Sequence, residues 1–314
     1  MAPEGAPGLI PANPAWTLAG VRNQYSDASA HADLYRYLAQ WLPLGAYLNV
    51  GYSKPGQAHL SVESPRRLVD HLAEHLLALH AGSPHAAARR LLDVASGRGG
   101  PAVQVSRQHG LRVVGVDITP HNVARARDNA GACGVADSVR FCLGSALALP
   151  LADASMPMAW SIESPAHFPD KGGFLREVAR VVAPGGAFAL ADLLVVPGAA
   201  TATPARRRIY AAFLSQWDVP YLETADGYRA RLHEAGFTVD RTEIVTAYNL
   251  NRFRRHCRTF LWLFRLPPLY RAYRPWIRRR TGADLAHVYE HVRASYCALR
   301  LGMIDYGLFW AVRR

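Results

Sequence analysis

The chain has 314 residues, of which 50% are hydrophobic and 19% charged, a composition typical of one large globular domain or of one domain with an embellishment. Its four cysteines form no CxxC pair, which argues against a disulfide framework and against a structural zinc cluster. No apolar run approaches the length of about 18 residues that a membrane span needs. Residues 1–16 lack the basic and apolar regions of a signal peptide, so we expect a cytoplasmic protein.

The predicted elements begin after a tail rich in Pro, Gly and Ala at residues 1–20. Apolar residues at helical spacing predict two helices, 27–48 and 65–80. Alternating strands and helices follow, and a helix is expected to end at the stop signal Pro184-Gly185-Gly186. The predicted strands are 90–94, 112–117, 138–142, 156–162, 187–195, 237–245 and 303–312. One predicted helix follows the first strand and ends near residue 109, and four more span 119–130, 170–182, 205–217 and 225–235. This alternation predicts an α/β fold with a doubly wound, Rossmann-like, mostly parallel sheet.

The net charge of +12 is carried mostly by one segment, residues 249–300. Twelve arginines and two carboxylates give this segment a net charge of +10, and nine aromatic residues are interleaved with them. The remainder of the chain is close to neutral, so the charge needs a local explanation. Because no recognised nucleic-acid-binding module is present, we do not expect a nucleic-acid partner.

The segment LLDVASGRGG, residues 91–100, joins the first predicted strand to a helix. Gly97, Gly99 and Gly100 lack the Cβ that would keep a ligand away from backbone N–H groups and the helix N-terminus. Asp117 ends the next strand twenty residues beyond Gly97, where a carboxylate can accept hydrogen bonds from both hydroxyls of a ribose. The spacing predicts a nucleoside-containing cofactor, although a glycine turn that only packs strand against helix has the same pattern.

Asp93, inside the first strand, distinguishes between two kinds of nucleoside cofactor that the site could bind. The dinucleotide pattern G-x-G-x-x-G has Ala102 at its third glycine position, a small residue that does not exclude NAD. A carboxylate beside the turn repels a pyrophosphate, but it attracts the sulfonium and ammonium groups of S-adenosylmethionine. Asp93 therefore favours S-adenosylmethionine.

Four successive segments resemble the motifs of class I S-adenosylmethionine-dependent methyltransferases: LLDVASGRGG, VVGVDITP, GSALALPLADASM and REVARVVAPGGAFALAD. The resemblance covers residues 49–194 and implies a seven-stranded sheet whose last strand, 303–312, is antiparallel. It also implies that the glycine turn lines the methionine moiety, Asp117 the ribose and Ile118 the adenine. The candidate cofactor-binding residues are Tyr52, Asp93, Ala95, Gly97, Gly99, Asp117, Ile118, Ser145, Ala146 and Ser161.

Two of these candidates depart from the family pattern. Ala95 stands where the family usually has its first glycine, and Ser145 stands where it often has an aspartate. The resemblance then implies that adenine recognition at Ser145 uses a hydroxyl or backbone groups.

The segment LNVGYSKPG, residues 48–56, resembles the LNxGYW element of small-molecule methyltransferases from natural-product and lipid pathways, with Ser53 in place of the aromatic residue. In those enzymes the element folds over the cofactor, which makes Tyr52 a candidate cofactor or substrate contact; a packed loop tyrosine is the alternative. The resemblance divides the chain into a flexible tail, an N-terminal helical lid, a methyltransferase core and an arginine- and aromatic-rich helical cap: 1–20, 21–85, 86–248 with 303–314, and 249–302.

The segment WSIESPAHFPD, residues 160–170, follows the fourth strand, at the edge of the sheet that faces its ligand. Methyl transfer to a hydroxyl or carbon needs an aligned nucleophile and a proton acceptor. The candidate catalytic residues are Glu163 and His167 as bases and Asp192, at the end of the fifth strand, as a residue that orients one of them. Loop anchoring by Glu163, packing by His167, and helix capping or a buried hydrogen-bonded carboxylate at Asp192 are the alternatives.

Two groups of similar enzymes point to different bases. Sugar and polyketide O-methyltransferases that resemble this chain often have two histidines in this stretch, and Ala166 takes the place of the first of them. The similar prenyl-diphosphate C-methyltransferases have a glutamate at the position of Glu163. We therefore prefer Glu163 to His167.

His287, Glu290 and His291 form the sequence HxxEH, which can place two zinc ligands on one helix face. Nothing nearby suggests a third ligand, so we expect exposed polar residues of a helix and no resident metal. Mg²⁺ is expected only if the acceptor carries a diphosphate.

The arginine-rich segment permits three roles. Its arginines can bind an anionic acceptor, dock on an anionic membrane, or only cover apolar surface with their stems. For the whole chain we expect a methyltransferase that acts on a small, largely apolar metabolite with or without an anionic group, at oxygen or carbon. The alternatives are a prenyl-diphosphate or lipid C-methyltransferase, a nucleotide-dependent oxidoreductase and a non-catalytic membrane adaptor.

Overall fold

The computed structural model describes residues 13, 17–19, 46–58, 61, 63–264, 267–282 and 284–314. Most of the predicted tail (1–20) and of the predicted helix 27–48 therefore lies outside the described residues. The elements within them are, in chain order, α1 (Glu63–Ala81), β1 (Arg90–Val94), α2 (Gly100–His109), β2 (Arg112–Asp117), α3 (Pro120–Ala132), β3 (Val139–Leu143), β4 (Met156–Ile162), a 3₁₀ turn (Pro165–His167), α4 (Lys171–Val181), β5 (Val182–Val195), α5 (Pro204–Gln216), α6 (Ala225–Glu234), β6 (Phe237–Ile244), α7 (Leu250–Leu263), α8 (Pro267–Thr281), α9 (Leu285–Arg300) and β7 (Ile304–Arg313).

The strands form one seven-stranded sheet in the order β3-β2-β1-β4-β5-β7-β6. Strands β1 to β5 pair in parallel, whereas β7 runs antiparallel to β5 and to β6. The predicted doubly wound, mostly parallel sheet with an antiparallel last strand is confirmed. The strand order reverses between β1 and β4, and in such sheets ligands bind outside the carboxyl ends of the strands at this point.

Strand β5 is buried on both faces, and its side chains alternate between two apolar layers. Ala191 and Leu193 belong to one layer, and Leu190 and Leu194 belong to the other, because successive side chains of a strand point to opposite faces. Asp192 is fully buried and shares the face of Leu190 and Leu194. This alternation decides which residues of β5 reach the site.

The Pro184-Gly185-Gly186 run does not separate a helix from a strand as predicted. Helix α4 already ends at Val181, and β5 begins at Val182. Val182 pairs with β4, and regular pairing resumes only at Ala187. The intervening residues form an irregularity in the ladder, and Gly185 within it has a φ of +77°. The run therefore bends a strand.

Helices α7, α8 and α9 connect β6 to β7 and form most of the segment predicted as a cap. They share a small apolar cluster made of Cys257, Leu261, Ile277, Leu285, Val288 and Val292. Leu250, at the start of α7, belongs instead to one of the main apolar layers. None of the described helices combines the length and the apolar character that crossing a membrane requires.

Candidate functional site

A cleft of about 730 Å³, counted with its solvent-open part, lies at the carboxyl ends of β1, β2 and β4. This is the crevice in which doubly wound sheets bind their ligands. The cleft brings together a set of the predicted cofactor-binding residues: Asp93, Ala95, Gly97, Asp117 and Ile118.

Asp117 is held at the cleft wall by backbone and side-chain donors. Its Oδ2 accepts a hydrogen bond from the N–H of Gly97 at 2.8 Å. Its Oδ1 accepts from the N–H of Thr119 at 2.8 Å and from Nδ2 of Asn122 at 3.4 Å. Burial raises the pKa of Asp117, and these hydrogen bonds oppose the rise because they stabilise the ionised carboxylate. The carboxylate is thereby fixed beside the glycine turn, where a ribose would lie.

Asp93 lies in β1 at the cleft and is only 2% exposed. Burial raises its pKa to about 7, and Asp117 acts in the same direction while the Trp160 indole acts against it. Oδ2 of Asp93 has no hydrogen-bond partner among the described residues. A buried oxygen without a donor is costly, and a cation in the cleft would relieve this cost. The site therefore fits the charged groups of S-adenosylmethionine better than a pyrophosphate.

The glycine turn serves both the cleft and the packing around it. Ala95 has a φ of +57°, a left-handed conformation that costs a non-glycine residue about 1–2 kcal/mol. A Cβ on Gly99 would lie 2.6 Å from the Phe141 ring, and a Cβ on Gly100 would lie 2.6 Å from the carbonyl oxygen of Ala46. Gly99 and Gly100 are thus required by neighbouring protein, and neither is among the residues found to line the cleft.

Tyr52 does not line the cleft in the part of the chain that the structure describes. Its ring stacks on His71, with centroids 4.8 Å apart, and contacts the ring of Tyr248. It is 6% exposed. This position matches the packed loop tyrosine that we gave as the alternative.

Three further cofactor candidates are not among the described residues that line the cleft: Ser145, Ala146 and Ser161. Ser161 is fully buried and donates a hydrogen bond to the carbonyl of Val94 at 3.0 Å. It therefore joins β4 to β1. Ser145 accepts a hydrogen bond from a backbone N–H two residues later, which shapes its own loop.

A second cavity of about 530 Å³, again counted with its open part, adjoins the cleft and shares Leu48, Glu163 and His167 with it. Its other described lining residues are apolar or aromatic: Val50, Ala166, Leu193, Phe213, Trp217, Val219, Leu250, Phe253, Leu299 and Ile304. Among the described lining residues, Glu163 and His167 are thus the ionisable ones. This arrangement suits a small, apolar ligand that meets two polar side chains at the cleft.

Glu163 is held between the two cavities. Its backbone has a φ of +55°, and its N–H donates to the carbonyl of Ala191 at 2.7 Å. Its carboxylate accepts hydrogen bonds from the N–H of Val50 at 2.8 and 3.0 Å and from the Tyr306 hydroxyl at 2.7 Å. Burial raises the pKa of Glu163 to about 8. The charge of Asp192 adds to this rise, and the hydrogen bonds from Tyr306 and Val50 offset only part of it.

His167 is held by a neighbouring backbone carbonyl. Its Nδ1 lies 3.1 Å from the carbonyl oxygen of Asp218. A carbonyl only accepts, so Nδ1 carries the proton and Nε2 is the basic nitrogen of the neutral ring. Burial lowers the pKa of His167 to about 4; the Lys171 charge adds to this effect, and the Asp218 carbonyl opposes it. His167 is therefore neutral near pH 7.

Known proteins share this sequence pattern and fold. Residues 92–190 match the family model described as a methyltransferase domain. The 27-O-demethylrifamycin SV methyltransferase of Amycolatopsis mediterranei (strain S699) is 36% identical over 219 residues, which are 70% of this chain and 75% of that protein. The chain belongs to the S-adenosylmethionine-dependent methyltransferases.

Solved structures share the fold of this methyltransferase at low sequence identity. Geranyl diphosphate C-methyltransferase from Streptomyces coelicolor A3(2), in complex with Mg²⁺, geranyl-S-thiolodiphosphate and S-adenosyl-L-homocysteine, is 18% identical with a TM-score of 0.68, over 96% of this chain and 99% of that one. The cyclopropane synthase MmaA2 from Mycobacterium tuberculosis is 14% identical with a TM-score of 0.71, over 96% and 100%. At these identities the likeness concerns the fold alone.

In the methyltransferase, Asp192 lies beneath the loop that follows β4 and is not among the described residues that line either cavity. It accepts a short hydrogen bond from the Tyr228 hydroxyl. Nearby, Nζ of the buried Lys171 donates to the carbonyls of Phe168 and Tyr221, both at 3.0 Å. Burial raises the pKa of Asp192 and lowers that of Lys171, and their mutual attraction opposes both changes. Asp192 thus matches the buried, hydrogen-bonded carboxylate of our alternative.

The HxxEH sequence lies in α9 of the methyltransferase. His287 and Glu290 are exposed. His291, however, is buried, and its ring lies 4.4 Å from that of Trp217. The expectation of exposed polar residues is therefore wrong for His291, because α9 packs this side against the residue that follows α5.

The site of the methyltransferase also contains residues that the sequence did not single out. Tyr306 and Val50 hold the Glu163 carboxylate, and the carbonyl of Asp218 sets the tautomer of His167. Two of these three act through backbone atoms, so their side chains carry no signal; Val50 lies in the segment 48–56 that resembles the LNxGYW element, but the pattern does not mark its N–H. Tyr306 lies in the predicted last strand, but no motif connects it to Glu163.

Proposed function

We propose that this methyltransferase acts on an oxygen or carbon atom of a small, uncharged, apolar acceptor, and that Glu163 takes the proton. The proposal is carried by the position of Glu163 in the wall between the cleft and the apolar cavity. When bound, S-adenosylmethionine supplies a methyl carbon activated by a sulfonium. The chain itself holds the apolar body of the acceptor, excludes water, and places a carboxylate beside the reacting atoms.

The choice between the two candidate bases follows from their pKa values. Glu163, with a pKa of about 8, binds a proton strongly once it is ionised. His167, with a pKa of about 4, disfavours its protonated form at neutral pH. A cation in the adjoining cleft favours ionised Glu163 and further disfavours protonated His167. We therefore assign proton removal to Glu163, and to the neutral His167 side chain, which borders both cavities, the positioning of the acceptor.

We further propose that Mg²⁺ is not required. A diphosphate acceptor would need cationic side chains or a carboxylate-bound metal ion. None of the described residues that line the second cavity is an arginine or a lysine. The prenyl-diphosphate or lipid C-methyltransferase remains the second candidate, because the apolar lining of this cavity would also hold a prenyl chain.

We propose the same division of the chain as above: tail (1–20), lid (21–85), core (86–248 with 303–314) and cap (249–302). A closing role for the lid is supported by the hydrogen bond from its Val50 N–H to Glu163. We propose that this contact seals the site during the reaction. The cytoplasmic location stays a prediction.

Labelled cofactor tests the proposed reaction. Extracts incubated with the enzyme and methyl-deuterated S-adenosylmethionine should yield a product heavier by one labelled methyl group. Glu163→Gln, which keeps the size of the side chain, should abolish its formation, whereas Glu290→Gln in the exposed part of α9 should not. Calorimetry should show binding of S-adenosylhomocysteine and no binding of NADH. A fully active Glu163→Gln enzyme would overturn the assignment of the base.

A further inference from the structure

We propose that helices α7 and α8 form a docking surface for an anionic lipid membrane. The surface, here called the basic aromatic surface, consists of Trp262, Leu263, Trp276, Arg278, Arg279 and Arg280. The choice of a membrane as the partner rests on the proposed function, because an apolar acceptor partitions into lipid. The existence of the surface rests on exposure and charge alone.

Helix α8 is strongly basic and mostly exposed. Residues 271–280 contain five arginines and no acidic residue, and all five arginines are exposed. In this stretch Ile277 is the buried side chain. A helix that contributes one side chain to the apolar cluster of the cap, and arginines around the rest of its circumference, presents concentrated positive charge to its surroundings. Such a helix attracts an anionic partner.

Large apolar side chains accompany this charge. Trp262 is 63% exposed, Leu263 44% and Trp276 42%. The end of α7 packs against the middle of α8 through a chain of ring contacts, with centroids 4.3, 6.0 and 5.4 Å apart along Phe260, Phe264, Tyr273 and Trp276. Exposed tryptophans beside arginines are typical of helices that lie in the interface between lipid headgroups and acyl chains.

A membrane satisfies both features of the surface, whereas an acidic polypeptide satisfies only the charge. The guanidinium of Arg280 lies 5.4 Å from the Trp276 ring, so cationic and aromatic groups occur side by side and can contact headgroups and acyl chains together. Helix α7 also supplies Leu250 and Phe253 to the apolar acceptor cavity. The same helix thus contacts the acceptor near its start and exposes Trp262 near its end. An acceptor that fits this cavity would partition into lipid, where a docked enzyme would meet it.

Vesicle sedimentation tests the proposal with the full chain. The probes are vesicles of phosphatidylcholine alone and of equal parts phosphatidylcholine and phosphatidylglycerol. We expect wild-type protein to bind the mixed vesicles and not the neutral ones. Combined Arg278→Gln, Arg279→Gln and Arg280→Gln should weaken partitioning on the order of 100-fold, because each arginine near an anionic surface contributes about fivefold.

The control removes the same charge elsewhere. Arg107, Arg112 and Arg140 are exposed and belong to α2, β2 and β3, far along the chain from the cap. Their combined replacement by Gln should leave vesicle binding at the wild-type level. Binding of S-adenosylhomocysteine by every variant checks folding. Sedimentation involves no methyl transfer, so a failure of docking is distinguishable from a failure of the proposed reaction.

Two more comparisons distinguish a membrane from an acidic polymer. Combined Trp262→Ala and Trp276→Ala should weaken vesicle binding at least tenfold and leave binding of poly-L-glutamate unchanged. The proposal is overturned if wild-type protein ignores the mixed vesicles or if both arginine variants bind them equally. It is also overturned if the tryptophan variant binds them like wild type, since the surface would then recognise negative charge alone.

Discussion

The hydroxyl of Tyr306 in β7 donates a 2.7 Å hydrogen bond to Oε1 of Glu163, 143 residues earlier in the chain. Strand β5 lies between them and sets their separation. Tyr306 pairs with Leu193 of β5, and the N–H of Glu163 donates to the carbonyl of Ala191 in the same strand. Because a hydrogen bond to a carboxylate favours its ionised form, Tyr306 limits the rise in the Glu163 pKa that burial causes.

Tyr306→Phe should therefore raise the pKa of Glu163 further. If ionised Glu163 removes the proton, wild-type kcat rises with pH as this carboxyl ionises, and in the variant the rise moves upward by about one pH unit. At pH 7 the variant should be several-fold slower and should recover at alkaline pH. The measurement is kcat against pH, with Tyr289→Phe in α9 as a control that leaves the profile unmoved. An equal loss at every pH would show that the hydroxyl only supports packing.

The sequence predicts the part of the site that lies on consecutive strands. Asp93 and Asp117 stand on β1 and β2, whose carboxyl ends meet at one edge because the strands are parallel and adjacent. Tyr306 and Val50 reach Glu163 from β7 and from the segment before α1, and only the folded sheet and the lid contact bring them there. Contacts between residues so far apart in the chain leave no local pattern in the sequence.

The fold itself is predictable because its signals are local and agree with one another. Between residues 63 and 244, apolar runs and helical periodicity recover the strands and helices within a few residues, whereas the three helices of the cap are predicted only as one helical segment without bounds. The start of β5 is the main difference, since the stop signal at 184–186 lies inside the strand. Proline and glycine indicate that regular pairing is interrupted, and they do not indicate whether the chain on either side belongs to one element.

The raised pKa of Glu163 also predicts how stability depends on pH. Its ordinary value is 4.5, and burial raises it to about 8. The folded state therefore binds this proton more tightly than the unfolded state, so the contribution to stability is fully present below pH 4.5 and is lost as the pH rises through 8. Urea unfolding of wild type and Glu163→Gln should show wild type losing about 4 kcal/mol relative to the variant over this range, since a difference of one in pKa corresponds to about 1.4 kcal/mol. A pH-independent difference would contradict the raised pKa.

Asp93 should make cofactor binding depend on pH near neutrality. Its pKa is about 7, and only the ionised carboxylate attracts the ammonium group that S-adenosylhomocysteine carries. Wild-type affinity for S-adenosylhomocysteine should fall by about tenfold in total as the pH drops through 7 and the carboxyl becomes protonated. Asp93→Asn should bind about tenfold more weakly at pH 8 and show a flatter pH dependence. Calorimetry measures both, and Asp137→Asn at an exposed position should behave like wild type.

His167 and Glu163 should differ in which kinetic constant their replacement changes. His167 is neutral near pH 7, its Nδ1 donates to the Asp218 carbonyl, and its side chain borders both cavities. If it positions the acceptor, His167→Gln should lower kcat/KM about tenfold, mostly through KM, and keep the rise of kcat with pH. Glu163→Gln should instead lower kcat at least about 100-fold, the usual effect of removing a general base. A His167→Gln enzyme that loses the pH-dependent rise would assign the proton to histidine.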